Sequence, residues 1–128
     1  MKILLDTHVV LWAIADPARL SPLARNLLLD DEHELLFSAA SIWEIQLKRR
    51  AGKLTLPGDP GFLPGHLRRL GVRATIAIAP EHTYRIATLP LTHRDPFDCL
   101  LAAQCLSEGL ALLSIDPAFA SLGVPALW

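Results

Sequence analysis

Four acidic side chains carry the most specific chemistry this sequence could do. Asp6 ends the apolar run at residues 2–6, Glu44 lies inside a helical stretch, Asp98 stands at the start of a long apolar helix, and Asp116 follows the run at residues 110–114. Carboxylates crowded together without partners are unstable: one protonates, or a cation neutralises them. The hard oxygens of Asp and Glu suit Mg²⁺ or Mn²⁺, held by a few carboxylates and several waters. A centre of that kind binds phosphate oxygens, lowers the pKa of a bound water and stabilises a leaving oxygen. This is the chemistry of a metal-dependent nuclease.

Each acid also has a plainer reading. Asp6 is placed to cap the helix that follows it, and Asp116 before Pro117 is a strong N-cap. Asp95 and Asp98, three residues apart, resemble a capping box. Glu44 has Lys48 four residues on, the spacing of a helical ion pair. Its helical neighbours Ala40, Leu47 and Ala51 are apolar, however, and a half-buried carboxylate needs a partner.

The positions of these acids follow from the order of elements. Residues 2–6 form a continuous apolar run, the pattern of a strand buried on both faces. Helical spacing follows at residues 8–15, and Ser21-Pro22 opens a second helix running to about residue 31. Residues 35–38 are a second strand, 39–50 a helix closed by Gly52, and 53–61 a loop. A helix at 62–70, a strand at 73–79, a helix at 80–87 and a loop at 89–94 come next. Asp95-Pro96 starts a helix that reaches Glu108, residues 110–114 are a fourth strand, and 124–127 a last edge strand. Strands alternating with helices require crossovers and a mostly parallel sheet, an α/β fold. In such sheets the carboxyl ends of the strands share one edge, where ligands bind. Three or four of Asp6, Glu44, Asp98 and Asp116 are therefore expected to converge there.

The chain has 128 residues and a formal net charge of −1, enough for one domain and no global attraction for polyanions. Polyanion binding must therefore come from a local patch. Apolar residues are 52% of the sequence, yet no run approaches the roughly 20 residues of a membrane span. Asp6 and His8 interrupt any signal-peptide core. The apolar surplus fits either a subunit or partner interface or a Leu/Ala-rich core. Cys99 and Cys105 on one helix would stand about 9 Å apart along its axis, on different faces, too far to bridge. They read as small packed residues, consistent with a cytoplasmic protein.

These residues fall in a familiar order. Ile3-Leu4-Leu5-Asp6-Thr7-His8 with Leu11-Trp12 is followed by Ser38-Ala39-Ala40-Ser41-Ile42-Trp43-Glu44-Ile45, then Lys48 and Gly52-Lys53-Leu54. Next come His93-Arg94-Asp95-Pro96-Phe97-Asp98 with Leu100-Leu101-Ala102-Ala103-Gln104, and Leu112-Leu113-Ser114-Ile115-Asp116 with Phe119 and the ending Val124-Pro125-Ala126-Leu127-Trp128. Over essentially its whole length the chain resembles the PIN-domain ribonucleases, and among them the VapC-type toxins of bacterial toxin–antitoxin pairs. The resemblance implies a single PIN domain over residues 1–128, with a five-stranded sheet in the order 3-2-1-4-5 and helices on both faces. It implies that Asp6, Glu44 and Asp98 hold Mg²⁺ or Mn²⁺, with Asp116 at a more variable fourth acidic position. It implies endonucleolytic cleavage of RNA by in-line attack of an activated water, leaving a 5′-phosphate. It further implies a homodimer and an antitoxin that wraps the domain and places a basic side chain among the acids. Thr7, Ser114 and Asp95 stand beside the acids as supporting residues, Ser114 where relatives often have Thr. Cys99 departs from the pattern: many relatives carry Arg there, so a positive charge is lost but no ligand.

His93 and Arg94, in the loop before the third motif, and the basic run Lys48, Arg49, Arg50 and Lys53 are candidate RNA contacts. His66, Arg68, Arg69 and Arg73 form a second basic run. Phosphate tracking along a basic surface needs such residues, although charge runs are commonly solvated faces. Trp12, Trp43 and Trp128 are expected in the core. Two other functions fit part of the pattern. A phosphoacceptor receiver domain also ends its first strand in acid, but it needs an acidic pair there and a late lysine, and Lys53 is the last lysine of this chain. A catalytically inactive PIN-like binding module would have lost acids, and here all four positions are filled.

Overall fold

The structure, a computed structural model, describes residues 1–56, 62–91 and 95–128. Strands β1 (Lys2–Leu5), β2 (Glu34–Ser38), β3 (Val72–Ile76), β4 (Ala111–Leu113) and β5 (Ala126–Leu127) form one sheet in the order β3-β2-β1-β4-β5. All four pairings are parallel, with Leu4 opposite Leu36 on one side and Leu112 on the other. The expected 3-2-1-4-5 order is therefore present. It differs from the 2-1-3-4-5 order of flavodoxin-like receivers, which removes the receiver alternative.

The central strand explains the packing. Successive strand residues point to opposite faces, and Ile3, Leu4 and Leu5 are all fully buried. Ile3 and Leu5, with Leu35, Phe37 and Leu113, face a core made by α1 (Thr7–Ala15), α2 (Pro22–Leu29), α3 (Ala39–Arg50) and α4 (Phe62–Arg69). Leu4, Leu36 and Leu112 face a second core with Leu101, Ala102 and Cys105 of α6 (Pro96–Glu108) and with Phe119 and Leu122 of the 3₁₀ turn at Pro117–Leu122. Burial of each Leu, Ile or Phe side chain contributes roughly 1.5–3 kcal/mol, so both faces of β1 hold the sheet between helical layers. Helix α5 (Pro80–Ile86) packs beside α6, where buried His82 accepts a hydrogen bond from the Ala79 N–H (3.0 Å) and contacts Glu108 (2.9 Å).

The layers are also pinned by a buried polar link. The Ser38 hydroxyl donates to Gln104 Oε1 at 2.6 Å and accepts the Ala40 N–H at 3.0 Å, while Gln104 Nε2 donates to the Ala77 carbonyl at 3.3 Å. Ser38 is thus at once the last residue of β2 and the cap of α3.

Several boundaries differ from expectation for physical reasons. The third strand ends at Ile76 rather than residue 79, because its partner β2 ends at Ser38, opposite Ile76. The last strand is two residues instead of four: Pro125 has no N–H to give a ladder, and β4 offers only three residues. Helix α2 stops at Leu29, where the Asp30 side chain takes the Glu32 N–H at 2.9 Å and its carbonyl takes that of His33. Trp43 is not in the core; it is 52% exposed. Among the described residues no helix is long and apolar enough to cross a membrane.

Candidate active site

Strand ends and helix starts bring the acids together. Asp6 leaves the end of β1 and caps α1, and its own N–H donates to the Leu113 carbonyl at the end of β4. Asp116 caps the 3₁₀ turn after β4, Asp95 caps α6, and Asp98 lies in the first turn of α6. Glu44 projects from α3, which begins directly at the end of β2. All five carboxylates line one cavity of about 410 Å³. Capping and gathering at a site are therefore compatible readings of these residues.

Asp6 is the most constrained. It is 5% exposed; Oδ1 accepts the Thr7 N–H at 2.8 Å and Oδ2 accepts the Ser114 hydroxyl at 2.6 Å. Burial pushes its carboxyl pKa up, and the charge of Glu44 adds to that rise; the two hydrogen bonds and the nearby His8 oppose it without cancelling it. Ser114 also accepts the Asp116 N–H at 3.1 Å, so one buried hydroxyl ties the loops that carry two of the acids. Thr7 contributes its backbone N–H; its own buried hydroxyl has no hydrogen-bond partner among the described residues.

Glu44 is 8% exposed and pairs with Lys48 Nζ at 3.1 Å. Both sequence readings of this residue hold at once: it is packed and it forms the i,i+4 pair. Asp95 Oδ1 takes the N–H groups of Phe97 (2.9 Å) and Asp98 (3.4 Å), and Asp116 Oδ1 takes that of Ala118 (2.9 Å). Cys99 beside the acids is half-buried, and burial with the charges of Asp98 and Asp95 raises its thiol pKa, keeping it protonated.

The donor set suits a hard divalent cation: carboxylate oxygens in surplus, one of them desolvated beside another negative charge. Like charges gathered at one cavity repel, which a cation would reverse. Among the described residues no three His, Cys, Asp or Glu side chains already stand close enough to hold a metal ion. The Lys48 ammonium meets the Glu44 carboxylate instead. Asp6, Glu44, Asp95, Asp98 and Asp116 are the cavity carboxylates that could meet such a cation, Glu44 being paired with Lys48 here.

Lys48 is thus directed into the cavity, while Arg50 and Lys53 are exposed at the end of α3 and Arg49 is half-buried with interactions of its own. Arg68 and Arg73 of the second basic run line a separate groove of about 400 Å³ between α3, α4 and β3. His93 and Arg94 lie outside the described residues. Besides Ile115 and Pro117, the sequence reading missed two lining residues, His8 and Trp12. They stand four apart on α1 with ring centroids 5.8 Å apart. The i,i+4 spacing immediately after Asp6 was the available signal. Trp12 also carries the Arg19 guanidinium at 4.4 Å over its ring and meets the terminal Trp128 edge-on at 5.9 Å.

This edge of acids on a 3-2-1-4-5 sheet defines the class: the chain matches the PIN domain family over residues 3–125 and belongs to it. PIN domains are nucleases. No curated protein matches it by sequence. Among solved structures it is similar to VapBC2 from Rickettsia felis, bound to a DNA fragment from its promoter, with a TM-score of 0.72 and 17% identity, covering 100% of this chain and 98% of that one. It is also similar to FitAcB from Neisseria gonorrhoeae, with a TM-score of 0.65, 21% identity and coverage of 98% and 96%. FitAB bound to an IR36 DNA fragment gives 0.64, 21%, and 98% and 93%. At these identities the likeness is one of fold.

Proposed function

We propose that the chain is a metal-dependent endoribonuclease, the VapC-type toxin of a toxin–antitoxin pair. The observation that carries this is the convergence of Asp6, Glu44, Asp98 and Asp116, from four distant segments, on one cavity. When bound there, Mg²⁺ or Mn²⁺ would neutralise phosphate charge and lower the pKa of a water for attack on phosphorus. The protein's own groups do the rest. Ser114 and the Thr7 N–H hold the Asp6 carboxylate in one orientation. Asp116 and Asp95 are fixed by their capping bonds, with Asp95 a supporting neighbour. Lys48 neutralises Glu44 in the resting protein and, once displaced, supplies a cation for the RNA backbone. His93, Arg94, Arg49, Arg50 and Lys53 are further candidate phosphate contacts.

The likeness to proteins solved as VapBC2 and FitAB complexes supports a partner antitoxin; a dimer of this chain and a cytoplasmic setting are part of the same proposal. The test uses purified chain with RNA and Mg²⁺ or Mn²⁺. Cleavage should require the metal, stop with chelator and fall by orders of magnitude in Asp6→Asn, Glu44→Gln and Asp98→Asn. Undiminished cleavage in those variants refutes the assigned roles.

A further inference from the structure

We infer that Trp43 and Phe97 form the seat for an unstacked nucleobase of single-stranded RNA, the base adjacent to the phosphate held at the acids; this rests on the nuclease reading above. Trp43 is 52% exposed, although its helix neighbours Glu44 and Ile45 are buried. Its indole meets the Phe97 ring at 5.1 Å and 68°, an edge-to-face contact. That contact fixes the indole, yet half of the residue's surface stays open to solvent.

The location decides what that surface is for. Trp43 immediately precedes Glu44 and Phe97 immediately precedes Asp98, and both acids line the cavity. Consecutive Cα atoms are about 3.8 Å apart. The ring pair therefore joins α3 to the first turn of α6, the two elements that carry Glu44 and Asp98 to the acidic cavity. A nucleotide flanking a phosphate at the acids would lie against these two elements, where the indole is open to solvent. A base in a duplex is held in its stack, whereas a single strand can splay a base onto an aromatic face. Every base has such a face, so the seat would select strandedness and register more than sequence. Leu47, one turn on from Trp43 and 40% exposed, extends the apolar surface, which makes a contact between two copies of the chain the competing use.

The test places Trp43→Ala and Trp43→Phe in an Asp98→Asn background, so that RNA is bound and not cut. The probe is a short single-stranded RNA containing 2-aminopurine, alone and annealed to its complement, with Mg²⁺. Binding should quench the single-stranded probe, Trp43→Ala should weaken binding by about 5- to 150-fold and abolish the quench, and Trp43→Phe should retain most of both. The annealed probe should not distinguish the three proteins. Equal affinity and quenching in Trp43→Ala overturns the proposal, as does a change in sedimenting mass with RNA binding per chain unchanged, which would assign the indole to a contact between copies. Cleavage assays with native Asp98 separate the two levels. No metal-dependent cleavage by the native chain sinks the nuclease reading, whereas cleavage that Trp43→Ala leaves unaltered sinks the base seat alone.

Discussion

Replacing Asp6 with Asn should stabilise the metal-free protein while abolishing its activity. The Asp6 carboxyl is 5% exposed and its pKa is raised, chiefly by burial and further by Glu44, despite a 2.6 Å hydrogen bond from Ser114 and a 2.8 Å bond from the Thr7 N–H. A folded-state pKa above the unfolded value means that folding favours the protonated form. The group's contribution to stability is thus complete below its ordinary value of 3.8 and is lost as pH rises through the raised folded value. At neutral pH burying this group therefore costs stability. Asn keeps the shape, can still accept one N–H or O–H, and removes the charge. The expected gain is on the order of 1–2 kcal/mol at pH 7.5 with chelator present, the size of a common single stabilising substitution. For a domain of this size that is a rise in Tm of roughly 4–8 °C. Thermal melts of both proteins from pH 3 to 8 should show the gain shrinking to nothing by about pH 3. Saturating Mg²⁺ should raise the Tm of the native chain, since a ligand of the folded state stabilises by mass action, and move the variant far less. If Asp6→Asn is destabilised by the same amount at every pH, the buried carboxylate is not under electrostatic load and the reasoning is wrong.

Ser114→Ala removes the donor to Asp6 and the acceptor of the Asp116 N–H; a loss of about 1.5–3 kcal/mol in chemical denaturation is expected, because hydrogen bonds to charged groups are worth that much. Lys48→Met deletes a pair whose lysine is 39% exposed, so stability should change by less than about 1 kcal/mol. The same substitution frees Glu44 and should tighten Mg²⁺ binding by calorimetry, and weaker binding would show that Lys48 does not compete with the metal. Gln104→Leu leaves the buried Ser38 hydroxyl without its acceptor and should cost about 1–3 kcal/mol, read from the urea midpoint.

Much of this was legible in the sequence because local rules and tertiary demands agree. The run at residues 2–6 is apolar without alternation because β1 is covered on both faces. Asp6, Asp95 and Asp116 stand beside helix starts, and those starts share the sheet edge. The sheet order came from the resemblance of four motifs to a family, since periodicity alone fixes no strand order. What was not legible depends on partners. The lengths of β3 and β5 are set by neighbouring strands rather than by their own residues. The exposure of Trp43 depends on how α3 rotates against α6, and an indole at that position reads as core from composition. The Lys48–Glu44 pair was visible as a spacing. That the same ammonium faces the acids required knowing which side of α3 borders the cavity, as did the placement of His8 and Trp12 on its wall.

The buried link from Ser38 to Gln104 has a consequence for how the molecule opens. Its atoms are satisfied only while α6 is seated against the ends of β2 and the chain beyond β3. Neither side can detach without leaving polar atoms in a dry interior, so these pieces should breathe as one. Hydrogen–deuterium exchange would then show the amides of β2 and α6 releasing together, at the free energy of global opening, while the short β5 exchanges earlier.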